Sequence, residues 1–276
     1  MKRLRHPKKR TSDASTSVPA EKPQVQSLVK LFPALDADRL ERLAAEMSIV
    51  RLKRGDRMVD LPAPTDFLVV LKGAIAVTWR HDSRHQVLVT LLAPGEVLAF
   101  SSLMPEMARC LKRHAFTDSL VATIDSSRLL DIVLGVELGA FKSAMEMTVG
   151  WSSATLMRYI RTFHQSPRDR LVTALIEMGA KFGVRDSRGL ILNLPITQKD
   201  LANLLGASRQ KVNAYLGELV RLGAVIILAR KIVLVQEKLF ALTGDPERHY
   251  DPNPSRHSSA RSHDVSMLSR REQMHL

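Results

Sequence analysis

The chain has 276 residues, of which 45% are hydrophobic, 25% charged and 5% aromatic, enough for about two globular domains with real cores. Its 41 Lys and Arg against 28 Asp and Glu give a formal charge of +13, which favours anionic partners such as nucleic acid or anionic lipid. No apolar run reaches about 18 residues without a charge, so no membrane-spanning helix is expected, and the single cysteine, Cys110, excludes an internal disulfide framework and any site built from four thiolates.

The opening MKRLRHPKKR is basic but lacks an apolar core behind it, so export is not expected and the protein is read as cytoplasmic. Residues 1–24 mix Ser, Thr, Pro and Lys with few large apolar groups, and such a segment cannot offset its chain entropy by burial. It is read as a disordered basic tail. A sensor-sized unit is expected over residues 25–136. Asp36 is placed to cap a short helix whose Leu40, Leu43 and Met47 fall at helical spacing. From Ser48 the pattern changes to short apolar runs: SIVRLK, FLVVLKG, AIAVTW, VLVTLLAPGE, VLAF and finally SLVATI, which ends at Asp125. Rich in Val, Leu and Ile and broken at Gly55, Gly73 and Gly95, these runs predict the hairpins of a compact all-β unit.

Over residues 137–164, Leu138, Phe141, Met145, Val149, Ser152, Leu156, Ile160 and Phe163 follow at intervals of three or four. They predict one long helix with a single apolar stripe, about 40 Å at 1.5 Å per residue. A stripe that long exceeds what one small β domain can cover, which favours pairing with a second copy over packing on its own β unit. Gly139, Gly150 and Ser152 weaken that seam. The next module, residues 165–244, opens on Ser166-Pro167, a cap followed by proline at the first helical position. Leu171, Leu175, Met178 and Phe182 are the expected inner face of its first helix, and FGVRDSRG is expected to be a loop.

Residues 195–223 read PITQKDLANLLGASRQKVNAYLGELVRLG. Thr197 caps one predicted helix with Leu201, Ala202 and Leu205 inward; Gly206 supplies the turn; Ser208 caps a second with Val212, Leu216 and Leu219 inward. A helix, a short turn with glycine and a second helix is the arrangement that places the second helix in the DNA major groove. The second helix opens on Ser208-Arg209-Gln210-Lys211, with Asn213 one turn on. Arg209 suits the O6/N7 edge of guanine, and Gln210 and Asn213 suit the N6/N7 edge of adenine. Thr197, Gln198, Ser208 and Lys211 are placed to meet phosphates. Two further strands, VIIL and IVLV, joined by Ala229-Arg230-Lys231, read as a wing whose Arg230 and Lys231 lie against the backbone of a duplex.

Charge follows this division. Residues 31–165 carry 16 basic and 15 acidic residues, whereas residues 166–244 carry 12 and six. A module that only docked another protein would have no need of that excess. The end, residues 245–276, is balanced at five and five and is read as a second disordered tail. It holds His249, His257, His263 and His275, but without the fixed geometry a metal site needs.

The span from about Leu31 to Thr243 resembles the Crp/Fnr family of bacterial transcriptional regulators. The order of parts matches, as do the glycine turns at Gly55, Gly73 and Pro94-Gly95-Glu96, Thr117-Asp118-Ser119 before the last strand and, most specifically, TQKDLANLLGASRQKV. The resemblance implies an α+β protein: an N-terminal double-stranded β-roll like cyclic-nucleotide-binding domains, a long dimerisation helix and a C-terminal winged helix-turn-helix. It also implies a homodimer on a two-fold symmetric operator in double-stranded DNA, with RNA polymerase as a further partner.

Departures from the family pattern bear on the effector. Members that bind a cyclic nucleotide carry Gly-Glu in the phosphate cassette, where this chain has Ala99-Phe100 followed by Ser101. Arg109, followed by Cys110, would meet the cyclic phosphate only if the cassette were one residue short; an ungapped match puts Ala108 there. Phe100 cannot accept a bond from a ribose hydroxyl, so no tight cyclic-nucleotide binding is expected. One cysteine cannot hold the iron–sulfur cluster of the oxygen-sensing members, and His81, His85 and His114 are read as solvated loop residues rather than haem ligands. No cofactor, metal site or catalytic residue is expected, since no nucleophile motif, phosphate loop or clustered metal ligands occur. Gln210 and Ala214 stand where many relatives have Glu and a second Arg, which predicts a different half-site. Two alternatives stay open beside a DNA-binding regulator with an unknown effector or none: a cyclic-nucleotide-responsive regulator using Arg109, and a ligand sensor whose C-terminal module docks a protein.

Overall fold

The computed structural model describes residues 28–29, 31–32, 35–58, 67–80, 86–98, 111–134, 160, 164–228 and 231–243. The first helix, α1 (Ala37–Glu46), begins where Asp36 accepts a bond from Arg39 N, as its sequence position predicts. Strands β1 (Ser48–Leu52), β2 (Phe67–Lys72), β3 (Ile75–Arg80), β4 (Gln86–Leu92), β5 (Val97–Leu98), β6 (Leu111–Ala115) and β7 (Ser119–Ile124) follow. They form two antiparallel sheets, ordered β1-β7-β2-β5 and β4-β3-β6. Strand β6 and the helix after Asp125, α2 (Ser126–Leu134), are additions to what the apolar runs foretold.

Alternation along the strands separates two cores. In β2, Leu68 and Val70 point between the sheets with Ile75, Val77 and Val121, while Phe67 and Val69 point the other way, against Leu43 of α1 and Leu129 of α2. Both faces of β2 are therefore buried, which is why FLVV reads as an unbroken apolar run. The turn after it needs glycine. Gly73 has φ +86°, and a Cβ there would lie 2.4 Å from both the Asp118 carbonyl and the Ser119 hydroxyl. Those residues clasp the turn: Ala74 N donates to Thr117 Oγ1 at 2.9 Å and to Ser119 Oγ at 3.1 Å, and Arg54 N donates to Asp118 Oδ1 at 2.8 Å.

The C-terminal module is built from α3 (Pro167–Phe182), β8 (Gly183–Asp186), β9 (Gly189–Leu192), α4 (Gln198–Leu205), α5 (Arg209–Arg221), β10 (Val225–Leu228), β11 (Lys231–Leu234) and α6 (Gln236–Ala241). FGVRDSRG is not a loop. It supplies β8 and the turn to β9, and these strands extend the wing into a sheet ordered β10-β11-β9-β8. The signal was masked by composition, because β8 reads GVRD, half-buried only at its ends and carrying two charges, whereas the equally short wing strands are apolar runs. The second wing strand starts at Lys231, one residue earlier than the apolar run IVLV suggests, and Val235 precedes α6.

The outer face of the three-stranded sheet meets this module. Ala74, Ala76, Leu88, Leu91 and Phe116 pack with Leu194, and Phe182, Ile196 and Leu204 close over them. Leu88 and Leu91 differ in parity, so on a regular strand they would face opposite ways. A register shift between Val77 and Thr78, pairing with Thr90 and Leu88, brings both to one face. At the edge of this seam Lys181 Nζ lies 2.7 Å from Glu96 Oε1 and donates to the Leu91 carbonyl at 3.3 Å. The other Glu96 oxygen accepts from Ala93 N at 2.7 Å, so the Pro94-Gly95-Glu96 turn is tied to α3.

Of the expected dimer stripe, Leu138, Phe141, Met145, Val149, Ser152, Leu156 and Phe163 lie outside the described residues; Ile160 is helical and exposed. Ala99, Phe100, Ser101, Arg109 and Cys110 of the proposed effector pocket also lie outside them, as do both tails.

Candidate nucleic-acid interface

The helical hairpin of α4 and α5 is shaped by local rules that its sequence states openly. Thr197 Oγ1 accepts from Asp200 N at 3.2 Å, and Asp200 Oδ2 accepts from Thr197 N at 2.9 Å, a reciprocal capping box. The Thr197 hydroxyl also donates to Asp200 Oδ2 at 2.6 Å, so its proton is spent inside the box. Gly206 ends α4 at φ +59°, ψ 36°, and Ala207 N donates to the Ala202 carbonyl. Ser208 then caps α5 by accepting from Lys211 N at 3.2 Å.

Packing completes the hairpin without its polar face. Leu201, Ala202 and Leu205 of α4 and Val212, Leu216 and Leu219 of α5 are buried with Leu171, Val172 and Leu175 of α3, matching the inward faces expected from spacing. Two arginines of α3 tie the hairpin down. Arg168 Nε donates to Glu218 Oε1 at 2.8 Å, and an Arg170 amino group donates to the Leu205 carbonyl at 3.1 Å, one of the acceptors that the end of α4 leaves open.

The predicted contact residues fall on the opposite side. Ser208, Arg209, Gln210, Lys211 and Asn213 are all exposed. Among the described residues the side chains of Arg209, Gln210 and Lys211 make no ion pair or hydrogen bond. Gln198, half-buried in the first turn of α4, reaches across the hairpin: its Nε2 donates to Asn213 Oδ1 at 2.8 Å. Lys231 is exposed at the start of β11, opposite Leu228 across the wing; Arg230 lies outside the described residues. One more residue belongs with this set. Lys199 is exposed beside Gln198, in a first turn where a cation opposes the helix dipole. That mismatch was a sequence signal for a role other than helix stability.

Electrostatics differ at the seam. His114 is half-buried on β6, opposite Ala76, and is not the solvated loop residue its isolation in the sequence implied. Burial holds its imidazole below the usual histidine range, while the Asp200 carboxylate pulls the other way. Asp200 therefore belongs both to the cap of α4 and to the surroundings of the roll. Among the described residues no group of three or more His, Cys, Asp or Glu is placed to hold a metal ion, and no helix is long and apolar enough to cross a membrane.

Comparison with known proteins agrees with this geometry. Residues 169–241 match the family model of the Crp-like helix-turn-helix domain. The chain is 19% identical over 220 residues to the CRP-like cAMP-activated global transcriptional regulator of Mycobacterium tuberculosis, spanning 76% of this chain and 94% of that protein. It is 24% identical over 213 residues to the global nitrogen regulator of Synechococcus elongatus, spanning 76% and 92%. Among solved structures, a CRP/FNR-family transcriptional regulator from Thermus thermophilus superimposes with a TM-score of 0.58 at 20% identity, covering 72% of this chain and 99% of that one. At such identity the structural likeness shows the fold: a β-sheet domain followed by a helix-turn-helix.

Proposed function

Because the chain belongs to the Crp/Fnr family of DNA-binding transcriptional regulators, we propose that it works as a homodimer on a two-fold symmetric operator, with α5 as the helix that enters the major groove. One observation carries this reading: the first turn of α5 presents Arg209, Gln210 and Lys211 to solvent although the core of the hairpin is complete without them. In this reading Arg209, Gln210 and Asn213 meet base edges. Lys211, Lys199, Lys231 and Arg230 meet phosphates, with Ser208 and Thr197 fixing the helix ends that approach the backbone. The dimer, held by residues 137–164, sets the two copies of α5 about 34 Å apart, one turn of the duplex.

The β-roll is the sensor, or the protein is competent without an effector. An effector acts only through its differential affinity for two arrangements of the modules. Ala99-Phe100 in place of Gly-Glu argues against a cyclic nucleotide, so calorimetry with cyclic AMP and cyclic GMP is expected to show no binding at micromolar concentration; binding would restore the reading through Arg109. RNA polymerase as a partner and a cytoplasmic location accompany the regulator reading. The experiment that tests it is selection of bound fragments from random duplex DNA by the full chain, with sedimentation of the free and bound protein. A palindromic consensus bound by two chains is expected. Indiscriminate binding by a monomer overturns the proposal.

A further inference from the structure

Gln198 and Asn213 stand 15 positions apart, on different helices, and no spacing rule pairs them. The turn at Gly206 brings their side chains together through the 2.8 Å bond from Gln198 Nε2 to Asn213 Oδ1. From this juxtaposition we infer that the two amides read one base as a unit, an adenine, with Gln198 as the positioning residue that decides which end of the Asn213 amide is oxygen. The inference rests on the reading of α5 as the groove helix.

The argument is one of donors and acceptors. Adenine shows the major groove a donor, N6–H, beside an acceptor, N7, whereas guanine shows two acceptors, O6 and N7. An asparagine matches adenine with its oxygen toward N6 and its nitrogen toward N7. Asn213 Oδ1 has two lone pairs. One takes the Gln198 proton, and the other is left for adenine N6–H, while Nδ2 faces N7. A lone, exposed asparagine could instead turn its amide over and offer Nδ2 to guanine O6. The bond from Gln198 opposes that, because the turned amide would set two NH2 groups against each other.

Gln198 could turn over as well, so something must hold it. It occupies the first position of α4, at a helix N-terminus, and such ends lie against phosphates when a helical hairpin straddles the backbone. A phosphate only accepts. Gln198 must therefore point Nε2 toward it, one proton to the phosphate and one to Asn213. The chain from phosphate to Gln198 to Asn213 to adenine runs in one direction. Guanine would require both amides to invert and the Gln198 carbonyl to face the phosphate.

The test is selection from random duplex DNA with the full chain and its variants, each first checked for an unchanged melting temperature. The wild type is expected to choose adenine at one position of each half-site. Asn213→Ala should lower the adenine-over-guanine ratio there by roughly tenfold or more and leave other positions alone. Gln198→Ala should lower it several-fold, about half of that effect on a logarithmic scale, and should add nothing at that position in the Asn213→Ala background. Gln198→Lys, which only donates, should keep the preference; Gln198→Glu, which only accepts, should lose or reverse it. If the wild type selects a symmetric site and Gln198→Ala and Gln198→Glu keep the adenine preference intact, the pairing is overturned while the groove reading stands. If the wild type selects no sequence, the groove reading itself is overturned, and the pair with it.

Discussion

Helices α4 and α5 sit side by side in one hairpin and share one core, yet their other faces have opposite fates. α4 turns Leu204 toward the sensor sheet, where it joins Leu88, Leu91 and Phe116, and its Asp200 acts on His114. α5 turns Arg209, Gln210 and Lys211 to solvent. One helix is thus a mechanical link to the β-roll and the other a surface kept clear. The contrast teaches that in this protein a basic residue near the hairpin is informative by what it does not touch. Arg168 and Arg170, equally basic, are used up in holding Glu218 and the Leu205 carbonyl, whereas the basic residues at the start of α5 serve no fold.

The comparison can be broken at five places. Truncating the shared core has the largest effect: Leu201→Ala, at a fully buried site, should cost about 2–5 kcal/mol of stability by urea denaturation and disable both faces together. An unaltered urea midpoint would mean that the hairpin core is not the common support. Arg209→Ala comes next and should act on one face alone. Stability should stay within about 0.5 kcal/mol, while operator affinity falls by about 1–3 kcal/mol with relaxed choice at one base pair. Equal losses on operator and random DNA would show a phosphate contact instead. Lys211→Ala gives that contrasting behaviour, a uniform loss across sequences with the salt slope reduced by about one.

At the seam, Lys181→Ala leaves Glu96 without its cation in a site where the lysine side chain is only 10% exposed. Between the values for surface and buried pairs, a loss of about 1–2 kcal/mol is expected, together with faster amide exchange in β4 and α4. An exchange pattern like the wild type would argue that the two modules are not coupled through this edge. The smallest effect is the titration of His114. Its folded form favours neutral imidazole, so the unfolded chain takes up the proton first as pH falls through about 6.5. The stability His114 contributes is complete above that pH and declines below it. His114→Gln should therefore flatten the fall in urea midpoint between about pH 7.5 and 5.5; an equal fall in both proteins would assign the pH dependence elsewhere.

Much of the molecule was legible in advance because local chemistry over-determines it. Caps at Asp36, Ser166, Thr197 and Ser208, the turn glycine Gly206 and the inward residues of the hairpin all lie where spacing puts them. Strands without an apolar run are less visible. β8 reads GVRD, with one large apolar residue and two charges, and lacks the mark that the equally short wing strands β10 and β11 carry. His114 is hidden for another reason: a lone histidine in a sequence carries no mark of the partial burial that its place on β6 gives it.

What the chain determines by itself is the set of elements and the polar edge of α5, because capping, helical period and turn conformation act between residues a few positions apart. Which faces meet was decided only on folding. Leu204 packs against the β-roll as well as the core of its own module, Leu88 and Leu91 share a face through a bulge, and Gln198 finds Asn213 across a turn. Each of these depends on the relative placement of whole elements, and that placement is fixed by the summed burial of many side chains rather than by any neighbour in sequence.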